Sequence, residues 1–284
     1  MSYDLVLAAA APPGWRALRE AIGLDDLRAR PDDVEDGAWP EGGLWLWRDG
    51  RSVRTTEVVW QPGQLTISIR ALPSPDDCDL ALRLAEAAAP LVGAARIDAG
   101  YFGDIEVGEL RRLHTADWMH EQAESATAVM AAMIREGRGP MGMPGPNRTC
   151  YIGERLLAEL EAAGPPDALP DRVLATMRRV QWDVPADFRD AGVFVSGGDD
   201  GQSRETRFAV WLSDENLVIP RVDYVALRAT EGGIVMVPFA AVAGLAGAHG
   251  TLLDECQLLV RAMGADEWKA VIARARPLAK SPRK

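Results

Sequence analysis

The chain is poor in the residues that metal and disulfide chemistry need. It holds three cysteines and three histidines, at Cys78, Cys150, Cys256, His114, His120 and His249. An odd number of cysteines without Cys-x-x-Cys spacing argues against both a disulfide framework and a zinc site. His114 and His120 are six positions apart, so they do not share a helix face as metal ligands at i and i+4 would. The sequence therefore predicts no metal, no cofactor and a reducing compartment, which indicates the cytoplasm.

Signatures of catalysis are also missing. The chain has no Gly-x-Ser-x-Gly nucleophile elbow, and its glycine-rich segment 137–148 lacks the terminal lysine and the preceding strand of a phosphate-binding loop. Asp254 and Glu255 are adjacent in sequence, and adjacent side chains on a helix diverge by about 100 degrees, so they do not form an acid–base pair by themselves. No catalytic residue is assigned, and a site assembled from distant residues stays open.

Basic residues are outnumbered by acidic ones. Lys and Arg total 31 against 42 Asp and Glu, which gives a net charge of -11 at pH 7. Nucleic-acid affinity rests largely on Lys and Arg neutralising phosphates, so neither DNA nor RNA is an expected partner. An acidic surface speeds the encounter with a basic protein, although acidity also serves solubility alone.

No apolar run is long and unbroken enough to cross a bilayer. The longest uncharged stretch, Gly232 to Thr251, is interrupted by Pro238 and several glycines. The apolar stretch before Pro12 has no preceding Lys or Arg, so it resembles a first strand more than a signal peptide. The sequence therefore predicts that the protein neither crosses nor anchors in a membrane.

The first part of the chain alternates short strands with capped helices. A strand at 3–7 and a helix at 15–22 are followed by strands at 43–48, 53–60 and 64–72. Asp49-Gly50 and Gln61-Pro62-Gly63 separate the last three strands and are hairpin signals, which predicts an antiparallel meander. Strict alternation in the third of these strands places Leu65, Ile67 and Ile69 on one buried face.

Helix signals are strong after this meander. Ser74 at the N-cap, Pro75 at the first helical position and Asp77 completing a capping box predict a helix to about Val92. Thr115 caps a longer helix at 116–136. The remaining elements expected before the second half of the chain are strands at 96–107 and 149–152 and helices at 154–163 and 170–179.

The second half turns mainly to strands. They are expected at 192–196, 204–212, 217–219, 224–229 and 234–238, with closing helices at 251–263 and 265–275. Antiparallel strands beside helices predict an α+β fold of β-meanders packed with helices. The simplest division is two αβ halves, 1–136 and 186–284, joined by a glycine- and proline-rich loop and helical connection at 137–185.

Two segments are candidates for contact with a partner protein. The glycine- and proline-rich loop carries Met141 and Met143 as adaptable apolar groups and Arg148 as a charged one. An acidic stretch after the first helix supplies four further candidates, Asp32, Asp33, Glu35 and Asp36. A plain inter-domain crossover and a solvated acidic connection are the alternatives for these two segments.

Residues 65–82 carry the one resemblance in the chain. This strand and capped helix start, followed by an apolar helix and a strand around 96–104, resemble a pattern in uncharacterised bacterial α+β proteins. Some of those proteins are thought to be immunity partners of secreted antibacterial toxins. The resemblance covers about a quarter of the chain and carries over no site residue. It implies a cytosolic inhibitor that binds a basic toxin and blocks it sterically and electrostatically.

Two other classes of function remain open from the sequence. The first is an enzyme, a hydrolase or transferase, with a dispersed small-molecule site between the halves. Arg148, Cys150 and Tyr151 are its first candidates because loops at domain junctions often line sites. The second is a structural module of a larger assembly, which would bury large apolar interfaces in an oligomer. The sequence does not indicate an oligomeric state.

Overall fold

The chain folds into two compact units. The structure is a computed structural model that describes residues 2–32, 34, 39–196, 205–229 and 232–279. The first unit is Met1–Asp183 and the second is Val184–Lys284. The segment 137–183 packs within the first unit. The α+β class is confirmed, since both units combine largely antiparallel sheets with helices.

The first unit is built on a seven-stranded antiparallel sheet. Its strands are β1 (Ser2–Ala9), β2 (Leu27–Arg30), β3 (Leu44–Arg48), β4 (Thr56–Gln61), β5 (Gly63–Arg70), β6 (Arg96–Asp98) and β7 (Asp104–Glu106), in the order β2-β3-β4-β5-β1-β6-β7. The predicted meander is confirmed as β3-β4-β5. Leu65, Ile67 and Ile69 are buried as the alternation predicts, and they face helices α1 (Trp15–Ile22) and α2 (Pro75–Val92) in one core.

The capping box at the start of α2 also ties the helix to the sheet. The Asp77 carboxylate accepts hydrogen bonds from the Ser74 backbone N–H and hydroxyl, both at 2.8 Å. The same oxygen lies 3.4 Å from the backbone nitrogen of Val53 and 3.2 Å from that of Arg54, which precede β4. One buried carboxylate therefore fixes both the first turn of α2 and the chain entering β4.

Four helices and a hairpin complete the first unit. They are α3 (Leu110–Leu113), α4 (Ala116–Arg135), β8 (Met141–Pro144), β9 (Thr149–Ile152), α5 (Glu154–Ala162) and α6 (Leu169–Trp182). Thr115 caps α4 as predicted, since its side chain accepts a hydrogen bond from the backbone N–H of Trp118. The expected loop at 137–148 instead forms one strand and the turn of an antiparallel hairpin, β8–β9.

The second unit contains two four-stranded sheets. One has the order β10-β13-β17-β16, and the other has the order β11-β12-β14-β15. The strands are β10 (Arg189–Asp190), β11 (Val193–Ser196), β12 (Thr206–Trp211), β13 (Leu217–Ile219), β14 (Tyr224–Arg228), β15 (Ile234–Pro238), β16 (Gly250–Leu252) and β17 (Leu258–Val260). Helices α7 (Phe239–Ala246) and α8 (Ala265–Ala275) accompany them. The pairs β10–β13 and β12–β14 are parallel, and the other pairs are antiparallel.

The prediction of a helix at 251–263 is wrong. This segment forms β16 and β17, which pair antiparallel. The turn between them is held by the Asp254 carboxylate, which accepts hydrogen bonds from the backbone N–H of Cys256 at 2.8 Å and from the side chain of Gln257. An aspartate that bonds nearby backbone favours a turn over a helix interior. Apolar residues spaced four apart suggested one helical stripe, but in the structure they belong to two short strands and the turn between them.

Within the described parts of the chain, no helix combines the length and the apolar character that crossing a membrane requires.

Candidate functional site

The acidic segment lies only partly within the described residues. Asp33, Glu35 and Asp36 lie outside the described residues. Asp32 lies at an arginine-rich pocket of about 310 Å³, whose lining also includes Arg19, Arg28, Arg30, Trp15 and Trp47. The guanidinium of Arg30 lies over the ring of Trp47 at 5.8 Å, a cation–π geometry. Within the described residues, the pocket beside Asp32 is therefore lined mainly by arginine and tryptophan side chains.

The turn of the β8–β9 hairpin is fixed to α6. The Gln181 side-chain oxygen accepts hydrogen bonds from the backbone N–H of Asn147 at 2.9 Å and of Arg148 at 3.2 Å, and its amide nitrogen donates to the Arg148 carbonyl at 2.8 Å. A Cβ at Gly145 would lie 2.5 Å from the Gln181 amide nitrogen and 2.7 Å from the Val53 carbonyl oxygen. Only glycine allows this close approach, so the turn is a packed element of the first unit.

This packing decides how much of the predicted contact surface a partner can reach. Met143 is 6% exposed, while Met141 and Arg148 are half-buried. In this conformation a partner could contact Met141 and Arg148 but little of Met143. The sequence showed the glycines and prolines of the hairpin turn. It did not show that the side chain of Gln181, 33 positions after Arg148, binds this turn.

The candidate nucleophile of the enzyme alternative is closed to solvent. Cys150 has no exposed surface and lies in β9 beside the half-buried Tyr151. The other two thiols, Cys78 and Cys256, are also buried, and burial raises their pKa values to about 12 and about 11. These two thiols stay protonated at neutral pH, and a protonated thiol is a poor nucleophile.

Buried charge concentrates where α2 meets the chain before β4. Burial raises the pKa of Asp77 to about 6, against hydrogen bonds from Ser74 and Arg54 that lower it. Burial also lowers the pKa of Arg54 to about 10, and the nearby charge of Arg70 lowers it further. The Arg54 side chain is 7% exposed. Perturbed groups often mark active sites, but the Asp77 contacts are to the cap of a helix, which is a structural role.

A second polar cluster joins β1 to the start of α4. The Tyr3 hydroxyl lies 2.6 Å from the Ala99 carbonyl oxygen and 2.7 Å from His114 Nε2, while His114 Nδ1 lies 2.7 Å from the Leu110 carbonyl oxygen. Burial lowers the pKa of His114 and raises that of Tyr3. The Trp118 ring packs edge-on against His114 at 4.6 Å. Both polar rings are therefore neutral parts of an aromatic cluster at neutral pH.

A groove of about 490 Å³ lies along α4, α5 and α6. Its volume suits a small molecule. Its charged groups are already engaged, since Arg135 pairs with Glu161 and Arg172 donates hydrogen bonds to backbone carbonyls. In the described parts of the chain, no three His, Cys, Asp or Glu side chains come together as a metal site. This groove therefore offers few free groups that could orient a ligand.

The sheet of β11, β12, β14 and β15 presents an apolar face opposite its helices. Residues that oppose one another across a ladder share a face, and alternate residues along each strand share it too. By this register one face holds Ser196, Thr206, Ala226, Arg228 and Pro238 together with six large apolar residues. We call these six the outer apolar face: Phe194, Phe208, Val210, Tyr224, Ile234 and Met236. Trp211 points to the other face, where its ring packs against Trp268 of α8 at 5.3 Å.

The outer apolar face reaches solvent at its edges. Phe194 is 52% exposed and Ile234 is 71% exposed, while the other four members are half-buried. The rings of Phe194 and Phe208 stack across β11 and β12, with centroids 5.5 Å apart. An apolar surface that continues across several strands and remains open is typical of a site that binds another protein.

Sequence reasoning missed this surface, although the strands carried a signal for it. β12 has apolar residues on both faces, Phe208 and Val210 on one and Ala209 and Trp211 on the other. A strand that is apolar on both faces indicates contacts on both sides of its sheet. The helices of the second unit cover the face of Trp211. The apolar residues on the opposite face of β12 therefore do not belong to that core, and they indicate a contact with another molecule.

No protein-family model, no curated protein and no solved structure matches this chain. The resemblance to toxin-immunity proteins therefore stays a prediction, and the function rests on the described geometry.

Proposed function

We propose that this protein is a protein-binding module and that the outer apolar face of its second unit is the contact surface. The observation that carries the proposal is the exposure of Phe194 and Ile234, at 52% and 71%, on a face that continues through half-buried apolar side chains. A partner that covers these apolar side chains would gain about 25 cal/mol of binding free energy for each Å² of apolar surface removed from water.

The chemistry of the surface indicates the kind of partner. Aromatic side chains and methionine are enriched in protein interfaces, and the outer apolar face contains Phe194, Phe208, Tyr224 and Met236. The net charge of -11 favours a partner with an excess of Lys and Arg. An immunity-type inhibitor that covers a basic toxin is the specific form of this function that the sequence resemblance favours.

The test combines capture of a partner with a matched pair of surface variants. The tagged protein is used to isolate a partner at defined stoichiometry, and the purified partner is then titrated with Phe194→Ser and with Tyr101→Ser. Both variants remove an exposed aromatic ring, but Tyr101 is 89% exposed and lies in the first unit. Hot-spot truncations cost about 1–4 kcal/mol of binding free energy, so Phe194→Ser is expected to weaken binding and Tyr101→Ser to leave it unchanged.

Two results would contradict the proposal. One is the absence of any stoichiometric partner. The other is a partner that binds the Phe194→Ser variant, and an Ile234→Ser variant, as tightly as it binds the unchanged protein. If the partner is a toxic enzyme, its activity measured with and without the module tests inhibition directly.

A further inference from the structure

The hydrogen-bond phase of the β11–β12 ladder determines which backbone groups of β11 face outward. The backbone N–H of Val210 donates to the Gly192 carbonyl at 3.1 Å, and these two residues oppose one another in the register. Opposed residues in an antiparallel pair alternate between hydrogen-bonded and non-hydrogen-bonded. Phe194 and Phe208 are therefore a hydrogen-bonded pair, joined through their backbone groups. The backbone N–H and C=O groups of the residues on either side of Phe194 point away from β12.

Those outward groups belong to Val193 and Val195. β11 is the terminal strand of its sheet, and within the described chain no strand pairs with its outer edge. Val193 and Val195 are 37% and 56% exposed. The edge thus presents two N–H donors and two C=O acceptors, alternating with exposed apolar side chains, in the arrangement that an added strand needs.

β11 is short, as protected edge strands often are, but it carries none of the side chains by which such strands avoid pairing. Proteins commonly protect an edge with lysine, proline or an inward-pointing charge, and the sequence of β11 is Val-Phe-Val-Ser. The opposite edge of the same sheet is different, because β15 ends at Pro238 and contacts α8. β15 is therefore the more protected of the two edges.

We propose that an extended segment of the partner protein adds to this sheet as a fifth strand along the outer edge of β11. The inference rests on the proposed function and specifies its binding mode. Backbone hydrogen bonds to Val193 and Val195 would hold the segment, and alternate side chains would provide selectivity. The side chain placed beside Phe194 would extend the Phe194–Phe208 stack, so we expect an apolar or aromatic residue there.

A second copy of this chain is a less suitable occupant than a different protein. Symmetric pairing would join two four-residue strands, each only about 13 Å long. A stable interface buries about 1,200 Å² or more, which so short a pairing does not supply. Each copy also carries a net charge of -11, so two copies repel one another. A basic extended segment has neither limitation, because it can continue past β11 over the outer apolar face.

The test uses a displayed library of random peptides of about 12 residues, a length that an extended strand site accommodates. Selected peptides are titrated with the full chain and with Val195→Pro and Val195→Thr. Proline removes the outward N–H donor but no bond to β12, and edge strands accept proline at such positions. Threonine keeps the donor and the β-branched shape. Val195→Pro is expected to weaken binding about tenfold or more, as for a lost hydrogen bond and a steric block, and Val195→Thr about twofold or less.

Hydrogen exchange on the unchanged protein gives a readout that needs no variant. In the free protein the amides of Val193 and Val195 are expected to exchange faster than that of Phe194, which is bonded within the ladder. Peptide binding is expected to slow exchange at Val193 and Val195 at least tenfold, in proportion to site occupancy. The measurement therefore stands even if Val195→Pro does not fold.

Several outcomes would overturn the inference. They are the selection of no peptide, equal binding to the proline and threonine variants, and protection that appears only away from β11. A wild-type dimer in sedimentation that Val195→Pro abolishes would make the occupant a second copy and would also overturn it. A partner whose binding depends on Phe194 but not on the Val195 amide would refute strand addition and leave the proposed function intact.

Discussion

Replacing the buried carboxylate of Asp77 by an amide is expected to remove a defined part of the pH dependence of stability. Burial raises the pKa of Asp77 from 3.8 to about 6 in the folded protein. Between these two values the folded state holds a proton that the unfolded state has released. Folding is therefore stabilised most below pH 4, and this contribution is lost as the pH rises through 6. The difference of about two pKa units corresponds to about 3 kcal/mol.

The assay is urea denaturation of the unchanged protein and of Asp77→Asn at pH 4 and at pH 7. The drop in the free energy of unfolding between the two pH values is expected to be about 3 kcal/mol smaller in the variant. Other titrating groups change equally in both proteins and cancel in this comparison. Asparagine keeps an oxygen that can accept the hydrogen bonds of Ser74 and Arg54, so the start of α2 is retained.

Asp76→Asn is the matched control. Asp76 is the preceding residue of the same helical turn, but its side chain is 32% exposed and pairs with Arg48 at the surface. The control retains Asp77 and is expected to retain the full drop between pH 4 and pH 7. A drop of the same size in Asp77→Asn and in the unchanged protein would refute the reasoning, because the buried carboxylate would then not be its source.

Two further predictions concern the packing of the first unit and the reactivity of the thiols. Gly145→Ala is expected to lower the free energy of unfolding by about 1–3 kcal/mol, since the added methyl group overlaps Gln181 and Val53. Gly108→Ala, where the methyl group meets nothing within 4 Å, is the control, and equal denaturation midpoints for the two would contradict the assignment. The three thiols, Cys78, Cys150 and Cys256, are at most 6% exposed, so a disulfide reagent is expected to label none in the native state and all three in urea; rapid native labelling would show that a thiol is accessible.

Local signals predicted most of the first unit. The capping residues of α2 and the alternation in β5 act within a few positions of themselves, and both were confirmed. The helix expected at 251–263 failed because a stripe of apolar residues four apart is equally compatible with two short strands, and only the Asp254 turn distinguishes them. Helix α7 was not predicted, since a nearly all-apolar segment has no periodicity to read.

The proposed contact surface was less predictable than the fold. Composition drew attention to Met143, but tertiary contacts bury it. The strand containing Phe194 was predicted, yet its place at the edge of a sheet depends on which strands pair across the second unit. Pairing between distant strands leaves no local mark in a sequence, so exposure at an edge could be learned only from the assembled sheet.

The interior position of β1 in the first sheet sets the order in which this sheet can close during synthesis. β1 pairs with β5 from Ala9 and Gly63, 54 positions apart, to Ser2 and Arg70, 68 positions apart. The ribosome therefore releases β1 well before its partner strand exists. Leu5 and Leu7, which are fully buried in the finished sheet, stay exposed during that interval. A nascent chain arrested before residue 63 therefore presents an unpaired apolar strand that chaperones and neighbouring chains can bind.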